Sequence, residues 1–243
     1  MKKAIVIAII VILGIFGYFF ISSTKHNTSK SMTDQEIVTI LDGVLKRVDD
    51  FFISADVIPE NYKQMKAQTG SDDEFFYRNL WLQDAEHQIK PNQNMFSFSA
   101  NEIDKYKIPS YVVGCSGRAN LFAKYAKEAG IKDVYIVVSV YIPDIGKEHM
   151  NGHQIVAVKM SHGLQLLDPA NGAYNFNRAK VDGNCKLNEI IDATSDSKKE
   201  YKIAAIMTQE EHEKLTSVEK LMDVYSRVLN DLAVKDIISA GKM

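Results

Sequence analysis

Cysteine is scarce in this sequence. Only Cys115 and Cys185 occur among 243 residues, so the fold is not a small scaffold stapled by several disulfides. An excess of positive charge is missing as well. With 29 Lys+Arg against 31 Asp+Glu and no long basic stripe interleaved with aromatics, nucleic acid is not an expected partner. No internal repeat is visible, and the clustered histidines His149, His153 and His162 fit no familiar zinc spacing, so neither a metal nor a cofactor is expected. What remains, 46% hydrophobic and 25% charged residues, is the composition of an ordinary globular domain.

The first segment departs from that composition. Lys2 and Lys3 precede an uncharged apolar run from Ala4 to Ile21, and polarity returns with Ser22 to His26. A helix of that length reaches roughly 27 Å, close to the hydrocarbon thickness of a bilayer. A cleaved signal has a shorter apolar core and a small-residue cleavage site, which favours an uncleaved anchor over a removed signal. The leading lysines place the N-terminus inside and the rest of the chain outside the cytoplasm. The expected organisation is a transmembrane segment over residues 1–22, a polar linker over 23–32 and one folded domain over 33–243.

Within that domain, Thr33 and Glu36 have capping-box spacing ahead of a helical apolar pattern through Val48. Pro59 and Gly70 punctuate the next stretch, and a second helix is expected between Asp73 and Gln88. Ala119, Phe122, Ala126 and Ala129 share one face of a helix that begins at Cys115 and ends at Gly130. Val134 to Tyr141, Gln154 to Met160, Leu164 to Asp168 and a stretch around Lys202 to Met207 read as strands, the middle two joined through Ser161 to Gly163. A long last helix is expected from Thr208, with an apolar stripe from Val218 to Leu232 that serves core packing or, as the minority reading, a partner. Helices, a central helix feeding an antiparallel sheet, and a closing helix make an α+β fold.

Chemistry concentrates at three places. A thiol attacks a carbonyl as its thiolate, and a free thiol near pKa 8.5 is mostly protonated at neutral pH. In Gly114-Cys115-Ser116-Gly117-Arg118 the cysteine stands at a helix start, where unpaired N–H groups and the dipole favour an anion and offer an oxyanion hole. His153, at the beginning of one strand, is the candidate base, and Asp168, at the end of the next, its orienter. The competing readings are a Cys115–Cys185 disulfide, a structural histidine, and an Asp168-Pro169 turn. Trp81 and Gln83 are assigned to packing and helix surface rather than to the cleft.

In these stretches the chain resembles the transglutaminase-like superfamily of papain-like Cys-His-Asp enzymes. The resemblance is carried by Gly114 to Ile131, by Gly-His-Gln-Ile-Val-Ala-Val at 152–158 and by Leu-Leu-Asp-Pro-Ala at 166–170, in the expected order. It departs where Gln154 and Ile155 follow the histidine and where small Ser116 and Gly117 follow the cysteine. The resemblance implies a helix carrying Cys115 packed on an antiparallel sheet, with Cys115 as nucleophile, His153 as general base and acid, and Asp168 as orienter. It further implies a peptide or protein substrate cleaved at an amide bond through a thioester, first as a cysteine protease. Cross-linking, acyl transfer of the arylamine N-acetyltransferase kind, and a catalytically silent surface binding module are the alternatives.

Overall fold

Leu41, Val44, Leu45, Val48, Phe51 and Phe52 recur at helical spacing, and helix α1, Asp34–Ala55, buries all six. The computed structural model describes residues 32–161, 163–170, 190–192 and 200–230. The apolar run at 4–21, most of the linker, His162, Cys185 and Leu232 lie outside them, so the anchor and the Cys115–Cys185 alternative fall beyond what is described. Among the described residues no helix is long and apolar enough to cross a membrane.

Pro59 and Gly70 bracket a further helix, α2, Glu60–Thr69, whose weak apolar pattern does not announce it in the sequence. Proline is tolerated where a helix starts, and Gly70, at φ 61°, supplies the left-handed cap that stops it. The helix expected between Asp73 and Gln88 is shorter: α3 spans Phe76–Gln83, and Asp84 leaves the helix to cap a single 3-10 turn, Ala85–His87. Next comes α4, Ala100–Tyr106, opened by a full Ser99/Glu102 capping box. The central helix α5, Ser110–Glu128, buries Ala119, Phe122, Ala123 and Ala126 against the sheet.

Among the described residues the sheet has five antiparallel strands in the order β3-β2-β1-β5-β4, with β1 at Val134–Tyr141, β2 at Gly152–Met160, β3 at Gly163–Leu167, β4 at Ile190–Asp192 and β5 at Glu200–Met207. The fold is therefore α+β. Central β1 is buried almost throughout, which is why its sequence runs apolar rather than alternating. Alternate residues divide between the two faces of the sheet: Ile136, Val156 and Val158 pack with the helices, while Val137, Ile155 and Ile203 pack together on the other face.

Two expectations need correcting. The long last helix is broken into α6, Gln209–His212, and α7, Val218–Tyr225, followed by a 3-10 stretch to Asn230. The cause is local, since Ser217 caps the second piece with its own side chain and so starts a new helix. The apolar stripe is likewise not all core: Leu221, Tyr225 and Val228 are buried, but Val218 is 52% exposed.

Candidate active site

Gly114 decides where Cys115 stands. Its φ of 59° and ψ of −154° interrupt α5, so residues 110–113 form a first turn and Cys115 begins a new helical segment. That conformation is essentially reserved for glycine. In an unbroken helix the Tyr111 carbonyl would accept the Cys115 N–H; here it accepts Arg78 Nε at 3.0 Å. The break gives Cys115 the unclaimed donors and positive dipole end of a helix start. Among the described residues Cys115 has no disulfide partner, and its side chain is packed closely but not sealed from solvent.

His153 comes from β2, which outruns its neighbour. The β2–β3 ladder ends with Val156 opposite Leu167, because the chain continues as Asp168-Pro169 and proline has no N–H to extend it. Gln154 and His153 thus lie past the end of β3, and the Gln154 backbone N–H serves the Cys115 sulfur instead. On the other side β1 keeps β2 in register, with Ser139 opposite His153 and the Ser139 hydroxyl donating to the His153 carbonyl at 2.7 Å. Asp168 is engaged through both of its oxygens. Its Oδ1 accepts the Ala170 N–H at 2.9 Å, forming the turn, while Oδ2 lies 2.7 Å from His153 Nε2. A carboxylate only accepts, so Nε2 carries the proton and Nδ1 is left for the thiol.

The structure therefore brings together all three residues singled out from the sequence. Burial opposes charge on the Cys115 thiol, but the His153 imidazole, as hydrogen-bond partner and as charge, and the Gln154 N–H outweigh it and bring the thiol below its ordinary range. Burial likewise works against the imidazolium, yet Asp168 and Cys115 push His153 up to about 10. Both directions favour a thiolate–imidazolium pair.

Above Cys115 opens a cleft of about 440 Å³. One wall is built by Phe75, Arg78, Met95 and Phe96, the other by Val218, Leu221, Met222 and Tyr225, and Gly152 and Gln154 floor it. Asn94 Nδ2 donates to the Thr216 carbonyl at 3.1 Å and ties the two walls together. His149 reaches the rim, but among the described residues no three His, Cys, Asp or Glu side chains gather as metal ligands. Asp144 holds the adjoining loop through Asn151 Nδ2 at 2.7 Å and Lys147 Nζ at 2.6 Å.

Sequence reasoning missed the polar layer under the floor. His212 is 3% exposed, with Nδ1 2.9 Å from the Asn120 side chain and Nε2 3.0 Å from that of Gln154. Burial holds this imidazole neutral by lowering it to about 4. A neutral ring has one N–H, so one of the two amides must turn its NH₂ toward it. The Gln154 side chain also reaches the Tyr225 hydroxyl, so the residue that serves the thiol through its backbone is braced from below through its side chain. Arg78, Tyr225 and His212 come from elements far from Cys115 in sequence; the only signal for Arg78 was a lone cation in the aromatic stretch from Phe75 to Trp81.

Comparison of the chain with protein-family models, with curated proteins and with solved structures found no match.

Proposed function

We propose that this chain is a cysteine enzyme of the transglutaminase-like kind that cleaves peptide or glutaminyl amide bonds through a thioester, with water as the usual acceptor. The observation that carries this reading is the joining of Cys115, His153 and Asp168 on the floor of an open cleft, with His153 Nε2 held 2.7 Å from Asp168. The Cys115 thiolate adds to the amide carbonyl carbon, and the helix-start N–H groups receive the oxyanion. His153 gives its proton to the leaving nitrogen as the C–N bond breaks, which leaves a thioester and a neutral imidazole. Water then attacks the thioester while His153 takes its proton; the thiolate leaves, the acid is released and the imidazolium is restored.

The apolar run at 4–21 supports a membrane-anchored enzyme with this domain outside the cytoplasm. Protease added to intact cells should then remove the domain and leave the first segment in the membrane fraction.

The test of the chemistry is release of amine or ammonia from a peptide library, with and without a primary amine to trap the thioester. New peptide termini at an unchanged rate support hydrolysis, whereas incorporation of the added amine with acceleration assigns transfer instead. A wild-type protein as inert as Cys115→Ala would sink the enzyme reading.

A further inference from the structure

Arg78 is out of place in the cleft. Among the described residues the lining there has seven apolar side chains besides Tyr225 and no aspartate or glutamate, yet a guanidinium stands in the wall beside Gly114. It is fixed rather than waving. Nε donates to the Tyr111 carbonyl at 3.0 Å, Nη1 approaches Met95 Sδ at 3.4 Å, and the group lies 4.5 Å from the centre of the Phe75 ring. The remaining nitrogen, Nη2, would be 3.7 Å from a Cβ on Gly114, the residue next to the nucleophile. Among the described residues no carboxylate pairs with Arg78. Of its acidic neighbours in sequence, Glu74 acts on the guanidinium through its charge without a hydrogen bond to it, and Asp73 spends its oxygens on the Phe75 N–H and on Asn79 Nδ2.

A charge drawn partly out of water without a counter-charge is costly, and the cost is recovered when an anion arrives. Burial lowers the Arg78 guanidinium, as expected for a cation short of partners, although the Cys115 thiolate, Glu74 and Asp73 act in the opposite sense. A guanidinium anchored through Nε and Nη1 presents Nη2 in a set direction, and its charge suits a carboxylate better than a neutral carbonyl.

We propose that Arg78 is the specificity-determining residue of the cleft, binding a carboxylate that the substrate carries close to the amide attacked by Cys115. This rests on the proposed amide-cleaving function. The carboxylate belongs either to a free peptide C-terminus or to an acidic side chain flanking the scissile bond, and both present the same group to Nη2.

The experiment compares two alkylating agents of similar size at Cys115 of the full chain, anionic iodoacetate and neutral iodoacetamide, in wild type, R78K and R78Q. The neutral agent reports the thiol itself, and the ratio of the two rates reports recognition of the carboxylate. In R78Q the iodoacetate-to-iodoacetamide ratio should fall by about tenfold or more, as loss of a charge-assisted hydrogen bond implies, with R78K between the two. A thermal melt of each variant checks that Tyr111, deprived of its Arg78 partner, still packs. A ratio equal in all three proteins overturns the proposal, including the case in which both rates fall together, which would make Arg78 a support for the thiolate only.

A second arm measures how short peptides protect Cys115 from iodoacetamide. Peptides with a free C-terminus against their amides, and Asp or Glu against Asn or Gln, separate the two sources. Equal protection by every carboxylate and its amide in wild type also overturns the proposal. If wild-type Cys115 reacts no faster than an ordinary thiol, the amide-cleaving function fails instead, and the ratio still decides the role of Arg78.

Discussion

His153 Nε2 meets Asp168 Oδ2 at 2.7 Å, with 13% of the imidazole and 6% of the carboxyl side chain exposed to solvent. Shelter from water strengthens the pairing and fixes which ring nitrogen faces Cys115.

The first prediction concerns pH. An ordinary thiol loses about a hundredfold in alkylation rate between pH 8 and pH 6, because its thiolate disappears below a pKa near 8.5. Cys115 sits below that range, so its iodoacetamide rate should fall far less over the same interval. His153 is raised to about 10, so its proton remains available for the leaving nitrogen through neutral pH. Amide cleavage should hold through pH 8 and decline as pH approaches 10. A rate profile that follows a free thiol would remove the ion pair.

The triad members should differ in their effects. Cys115→Ala removes the nucleophile and should abolish turnover. His153→Ala should be nearly as severe, since the leaving nitrogen then lacks a proton donor. Asp168→Asn keeps the Oδ1 contact to Ala170 within reach but exchanges an acceptor for an amide, and losses up to about 10⁴-fold are known for the equivalent change in a serine triad. Single-turnover kinetics with a chromogenic amide would rank them.

Two glycines should fail for different reasons. A Cβ at Gly152 would come within 2.1 Å of the Tyr225 hydroxyl oxygen and 2.4 Å of the Ser139 carbonyl, so Gly152→Ala is an overpacking change costing about 1–3 kcal/mol. At Gly114 the nearest atom would be 3.5 Å away, so space is available and the penalty is conformational, again on the order of 1–3 kcal/mol. Gly114→Ala should therefore lose Cys115 reactivity out of proportion to its change in melting temperature. Equal loss of both in the two variants would contradict this division.

His212 should leave a mark on acid stability. Its folded value near 4 lies below the usual 6.5, so the unfolded chain binds the extra proton first. The contribution is complete above pH 6.5 and is lost as pH falls toward 4, amounting to roughly 3 kcal/mol if the whole difference is realised. Denaturant titrations of wild type and His212→Gln between pH 7 and pH 4 should show the variant with the shallower pH slope.

Much of this was legible in the sequence where the signal is local. β1 occupies the expected Val134–Tyr141, and the pairing of β2 with β3 sets His153 on one strand and Asp168 just past the end of the next, which stops one residue short of the end expected at Asp168. Helices α2 and α4 carried readable punctuation, Pro59 with Gly70 and Ser99 with Glu102, but their weak apolar patterns hid them. The break before Val218 was equally local, a Ser217 cap overridden in reading by the continuous apolar stripe. The cleft walls were not legible, because Arg78 meets Tyr111, and Asn94 meets Thr216, only after the chain has folded.

The walls also have a consequence for change over time. Cys115, His153 and Asp168 all fall between residues 115 and 168, whereas the opposing walls come from 75–96 and 218–225. Under the proposed function, substitutions in either outer stretch can retune what the cleft accepts while the three central residues are inherited intact. Descendants of such a chain would diverge in diet before they diverge in chemistry.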